Sequence, residues 1–181
     1  LEIYNSNASD YTDFGIRGTG HKYVIGVGNA SVSTVNDKWY LYDNDNTAFR
    51  MVVNTSGNVG IGTTDPSGKL HVYSGDAGAV TPSTQADDLV VENSAEGGIT
   101  IMTPDAESAR IRFTSPSTNN AVGGATIFYR QNINKMNIGT EVSGGILALH
   151  SGAGSETMRL DANGNVGFHG QTNPNTPIHV G

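Results

Sequence analysis

A chain of 181 residues is long enough for one large or two small domains. Only 15% of its residues are charged, while Gly fills 24 positions, about twice its usual share. A net charge of −7, with ten Lys and Arg dispersed along the sequence, argues against a nucleic-acid backbone or an anionic membrane as partner. The absence of Cys excludes disulfides and thiolate metal sites, so stability must come from packing or oligomerisation.

Helix is a poor use of a composition dominated by Gly, Asn, Thr and Ser, because each of these prefers other conformations to a helix interior. No run approaches the eighteen apolar residues of a membrane span, and no signal peptide is visible. The chain starts at Leu1 rather than Met and stops at Gly181 just after a motif, so it reads as a piece of something longer.

In chain order, the predicted strands are short and rich in aromatic and β-branched residues: Trp39-Tyr40-Leu41-Tyr42, Met51-Val52-Val53, Arg110 to Phe113, and Ala125 to Tyr129. Asn163-Gly164 lies between Met158-Arg159-Leu160 and Asn165 to Phe168. It predicts a two-residue hairpin turn of type I′, which needs positive φ at both positions. Thr55 to Asn58 occupies the same place earlier in the chain.

Those two places belong to an internal repeat. Met51 to Ile61 aligns with Met158 to Phe168 at an offset of 107. After one inserted residue, Pro66, Leu70, His71 and Val72 align with Pro174, Ile178, His179 and Val180. Leu1, Ile3, Asn5 and Ser6 align with Leu89, Val91, Asn93 and Ser94 at an offset of 88, so the second copy carries 19 extra residues internally. The resulting organisation is a first β unit at 1–72, a linker or irregular loop at 73–88, and a second β unit with an insertion at 89–181. Many short strands leave unprotected edges, which trimerisation around an apolar axis would cover; a pair of monomeric β-sandwiches fits the composition equally well.

The string GNVGIGTTDPSGKLHV at 57–72 resembles a motif of bacteriophage tail fibres and tailspikes, found just upstream of a C-terminal intramolecular chaperone. DLVVENSAEGGITIMTPDAESARIRFTSP at 88–116, KMNIGT at 135–140 and MRLDANGNVGF at 158–168 are similar to the repeating shaft segment of such fibres in order and content. The second copy departs from the pattern, since Phe168, His169 and Gly170 replace the usual IGT, which puts the local geometry there in question. The resemblance implies an all-β, elongated homotrimeric fibre of β-sandwich-like or β-prism segments. It further implies a virion location on the tail fibre, contact with neighbouring fibre domains, and a role in positioning or contacting host cell-surface polysaccharide. A fragment of a glycan-depolymerising tailspike and a bacterial surface adhesin repeat are the alternatives.

For ligand contact, WYLYDNDN at 39–46 is the best segment, because aromatic rings stack on sugar CH groups while Asn and Asp bond hydroxyls. The glycan candidates are Trp39, Tyr40, Tyr42, Asp43 and Asp45. Aligning Trp39 to Tyr42 with Ile146 to Leu149 at the offset of 107 puts Tyr40 and Tyr42 on a core face and makes Trp39 the exposed platform. Asp43, Asp45 and Asn46 gather hard oxygens as a calcium loop does, but the remaining ligands are missing, so the segment reads as a solvated turn with no metal. The five His form no metalloprotease pattern, and the repeat-related His71 and His179 suit an axial or packing role. No nucleophile motif or phosphate-cradling loop is present, so no catalytic residue and no cofactor is assigned.

Overall fold

The computed structural model describes residues 12–116 and 123–169. The start of the first repeat and the end of the second, including His179, lie outside them. The described residues are all-β: thirteen strands in three sheets, with no helical element longer than the 3-10 turns Ser33–Val35 and Gln131–Ile133. The chain forms two compact units, Leu1–Ile99 and Thr100–Gly181.

The first unit holds one seven-stranded sheet in sequential order: β1 (Thr12–Arg17), β2 (Lys22–Val27), β3 (Trp39–Asp43), β4 (Ala48–Val53), β5 (Val59–Ile61), β6 (Leu70–Tyr73) and β7 (Leu89–Glu92). The first five are antiparallel, and β6 and β7 add in parallel. The compact unit therefore does not end at residue 72, where the sequence pattern places the end of a first β unit. Leu89–Glu92, which opens the second copy in sequence, pairs with Leu70–Tyr73, and Tyr73 is the last residue of β6 rather than the first of a linker.

The β5–β6 connection is only residues 62–69, shorter than the dozen or more that usually join parallel strands. Two glycines allow it. Gly62 has φ 77° and its missing Cβ leaves room for the Tyr73 carbonyl; a Cβ at Gly68 would strike the Asp87 carbonyl.

The second unit holds two three-stranded antiparallel sheets. One pairs β8 (Ser108–Phe113) with β9 (Ala125–Arg130) and β10 (Lys135–Thr140); the other pairs β11 (Leu147–Ser151) with β12 (Ser155–Leu160) and β13 (Val166–Phe168).

The β4–β5 and β12–β13 hairpins have the same register at the offset of 107. Met51, Val52 and Val53 face Ile61, Gly60 and Val59, as Met158, Arg159 and Leu160 face Phe168, Gly167 and Val166. Their turns also share the same backbone-to-side-chain bonds. Asn54 Oδ1 accepts from the backbone N–H of Ser56 and Asn58, as Asp161 Oδ1 does from Asn163 and Asn165. The turn is not type I′. Of the central residues only the glycine, Gly57 or Gly164, has positive φ, at 81° in both, while Asn163 stays out of the left-handed region. The Asn54 and Asp161 side chains hold the tight turn that two left-handed residues would otherwise form.

Beyond Phe168 the departure from IGT leaves the geometry unchanged through His169. His169 takes φ 52° where Gly62 has 77°, and its N–H donates to Thr157 O at 3.0 Å as that of Gly62 does to Arg50 O at 3.0 Å.

In the preceding strand the sequence alignment is off by one. Trp39, Tyr40 and Leu41 face Val53, Val52 and Met51, whereas the equivalents Leu160, Arg159 and Met158 are faced by Leu147, Ala148 and Leu149. The offset there is 108, because the β3–β4 loop spans 44–47 and the β11–β12 loop only 152–154. Both pairs carry a bulge at the same point, with Arg50 and Thr157 as the extra residues.

Val24, Val35, Tyr40 and Val52 form the buried apolar cluster, flanked by Val32, Tyr42 and Phe49. They lie on one face of the seven-stranded sheet, and the β2–β3 connection lays Val35 over them.

A left-handed non-glycine residue is strained, and an Ala at Gly62 would add a clash with the Tyr73 carbonyl. Gly62→Ala is expected to cost more than about 1 kcal/mol in denaturant unfolding. His169→Gly is expected to raise stability by about half a kcal/mol, the relieved strain being partly offset by unfolded-state entropy.

Candidate functional site

Alternation along a strand assigns each side chain to a face, and the register carries that face across the sheet. Opposite the core face, the seven-stranded sheet presents Phe14 and Ile16 from β1, Tyr23, Ile25 and Val27 from β2, and Trp39 and Leu41 from β3. Met51 and Val53 follow from β4, Val59 and Ile61 from β5, Leu70 and Val72 from β6, and Leu89 and Val91 from β7. This open face crosses all seven strands, and none of these side chains is buried.

The other two sheets have the same one-sidedness. Ile111, Ile127 and Ile138 stand in one row beside Phe113, Tyr129 and Met136. Leu147, Leu149, Met158, Leu160, Val166 and Phe168 fill one face of the last sheet. These six are the structural equivalents of Trp39, Leu41, Met51, Val53, Val59 and Ile61, and all twelve positions are apolar. On the opposite faces the pairs are dissimilar: Tyr40 and Val52 are replaced by Ala148 and Arg159. Soluble monomers rarely leave apolar surface of this extent uncovered.

At the β2, β3 and β4 end of the open face lies a polar cluster around Asp43, whose side chain is 1% exposed. The bulge at Arg50 turns that side chain back onto Asp43, and its Nε and Nη2 donate to Asp43 Oδ2 at 3.0 and 2.6 Å. Asn46 donates to Asp43 from its backbone N–H at 3.1 Å and its Nδ2 at 2.9 Å, and His21 Nε2 lies 2.7 Å from Oδ1. Burial opposes the charge on Asp43, but the hydrogen bonds from Asn46, Arg50 and His21 outweigh it and hold the carboxyl well below the ordinary range. Asp45 accepts from the Lys22 N–H at 2.6 Å. A shallow cavity of about 560 Å³ beside the cluster is lined by Ile16, His21, Tyr23, Leu41, Asp43, Asn46 and Arg50.

The five sequence-predicted glycan residues do not form one surface. Tyr40 is buried at 2% exposure, edge-on to Phe49 at 5.4 Å, and Tyr42 packs against the same ring at 4.8 Å. Neither offers a free ring face. Trp39 is on the opposite face at 37% exposure, between its cross-strand partners Val27 and Val53. Asp43 is inside the cluster, and only Asp45 of the acids is exposed.

His21, Asp43 and Asp45 place ligand atoms within 4.8 Å of one another, but the Arg50 guanidinium already occupies the cation position against Asp43. Asn46 likewise donates to Asp43 instead of turning its oxygen to a shared ion. A carboxyl held low is also the reverse of what a general acid needs.

His71 is buried at 3% exposure on the core face. Its Nδ1 accepts from the Ser67 N–H at 3.3 Å, and its Nε2 lies 3.0 Å from Glu92 Oε2, outside hydrogen-bond alignment. It ties β6 to β7, a packing role.

No family model matches the chain, and no curated protein matches it.

His21, Arg50 and the β1–β2 part of the open face escaped the sequence reading. The period-two pattern Phe14, Ile16 and Tyr23, Ile25, Val27 was the available signal.

Asp43 is charged more readily in the folded than in the unfolded chain, so its stabilisation is present above the unfolded value of 3.8 and lost as pH falls below it. Glu156, bonded by Arg159, and Asp161, bonded by the Asn165 N–H, are lowered too and act in the same window. The melting temperature is expected to be flat from about pH 7 to about pH 5 and to drop below about pH 4. Asp43→Asn should lower it at pH 7 and flatten the acid limb.

Proposed function

We propose that this chain is a segment of a homotrimeric viral fibre, of the bacteriophage tail-fibre type, that positions or contacts host cell-surface glycan. The observation that carries the reading is the uncovered apolar face on each of the three sheets. Three chains laid face to face around an axis would bury these faces together, and the trimer core would then be built from positions the two hairpins share. Repetition of one hairpin geometry, register and turn bonds included, suits a shaft made by adding segments. Trp39 falls on the apolar face in this reading, so it is an assembly residue rather than a sugar platform.

The resemblance of GNVGIGTTDPSGKLHV at 57–72 to fibre shafts supports the same assignment. Asp is scarce on the open faces and frequent in turns, as expected where charge is kept out of an interface core.

Sedimentation equilibrium across a hundredfold dilution tests the proposal. A constant mass of about three times 18.9 kDa is expected. Leu41→Asp with Leu149→Asp, one charge in each equivalent face, should shift the mass toward the single chain, whereas Asp76→Asn in an exposed loop should not. A wild-type chain that stays monomeric at every concentration would sink the fibre reading.

A further inference from the structure

The Lys and Arg that look dispersed in sequence converge on the sheet of β8, β9 and β10. Its face opposite Ile111, Ile127 and Ile138 carries Arg110, Arg112, Arg130 and Lys135, four of the ten in the chain. The other positions on that face are Ser, Thr, Asn, Gly and the aromatic Phe128.

Phe128 organises the charges. The Arg110 and Arg130 guanidinium carbons lie 5.2 and 5.8 Å from its ring centroid, so one aromatic side chain holds two guanidinium groups. Lys135 is the direct cross-strand partner of Arg130, a like-charge pairing that costs stability. Glu141 neutralises Arg112 at 3.1 Å, but among the described residues no carboxylate lies within ion-pair distance of Arg110, Arg130 or Lys135. The three are exposed. A cluster of positive charge that no described carboxylate pairs, on a chain of net charge −7, is complementary to an anion brought from outside.

We propose that this face binds an anionic polysaccharide through Arg110, Arg130 and Lys135. Arginine forks bond a carboxylate in bidentate fashion, and Asn137, directly opposite Phe128, is placed for a sugar hydroxyl. A nucleic acid fits less well, because its closely spaced phosphates would run past a three-charge cluster on a chain of net charge −7. The assignment rests on the fibre reading for the ligand being a glycan. In that reading the apolar side of this sheet turns inward and leaves the cationic side accessible.

The test is titration calorimetry of the whole chain with polygalacturonate, a neutral dextran and oligo(dT) as probes, with solution mass measured on the same samples. Polygalacturonate is expected to bind and dextran not to. Raising salt from 50 to 200 mM should weaken binding by about 20-fold, as expected for three ion pairs. Arg110→Gln with Arg130→Gln should lose at least tenfold in affinity and most of the salt dependence. Arg110→Lys with Arg130→Lys should keep the salt dependence while losing affinity, which separates charge from misfolding.

Unchanged affinity in the Gln variant, no binding of polygalacturonate at 50 mM salt, or tighter binding of oligo(dT) would each overturn the proposal. A trimer that ignores polygalacturonate would remove this site and leave the fibre; a monomer that binds it would do the reverse.

Discussion

Among the described residues, every sheet has one apolar face left uncovered. Burial is the main favourable contribution to folding, and here it is split between a small internal core and broad apolar surfaces that the described residues leave exposed. The internal core, Val24, Val35, Tyr40 and Val52, fixes one side of the first sheet only. Water contact with the opposite sides is the free energy that association would recover. The polar features are arranged around that constraint: Asp43, buried at one end of the open face, is satisfied by His21, Asn46 and Arg50.

The hairpins were the most legible part of the sequence, because their signals are local. Asn54 and Asp161 each cap a turn, Gly57 and Gly164 each supply one left-handed residue, and the apolar residues on either side alternate. The type of turn was not legible, since Asn163 tolerates both signs of φ and only the Asp161 bonds decide. The one-residue slip in β3 was hidden for a related reason: loop length and bulge together set register, and neither shows in a match of residue types.

The candidate site was harder to read than the fold. Strand alternation already separated Tyr40 on the core face from Trp39 on the opposite one, but the bulge that brings Arg50 onto Asp43, and so takes an acid of the 39–46 segment out of reach, has no signal in the residue pattern. The cationic face depends on three strands coming into register, and its four charges are scattered from 110 to 135 in sequence. A reading along the chain sees them as solvated singles.

The bulges at Arg50 and Thr157 hold two strands in the same register although the residues on the other side of the sheet differ, Tyr40 and Val52 in one hairpin against Ala148 and Arg159 in the other. Register is thus encoded by backbone and turn, independently of one whole surface. That surface is free to be rewritten, by evolution or by an engineer grafting new recognition chemistry, without disturbing how the strands are laid down.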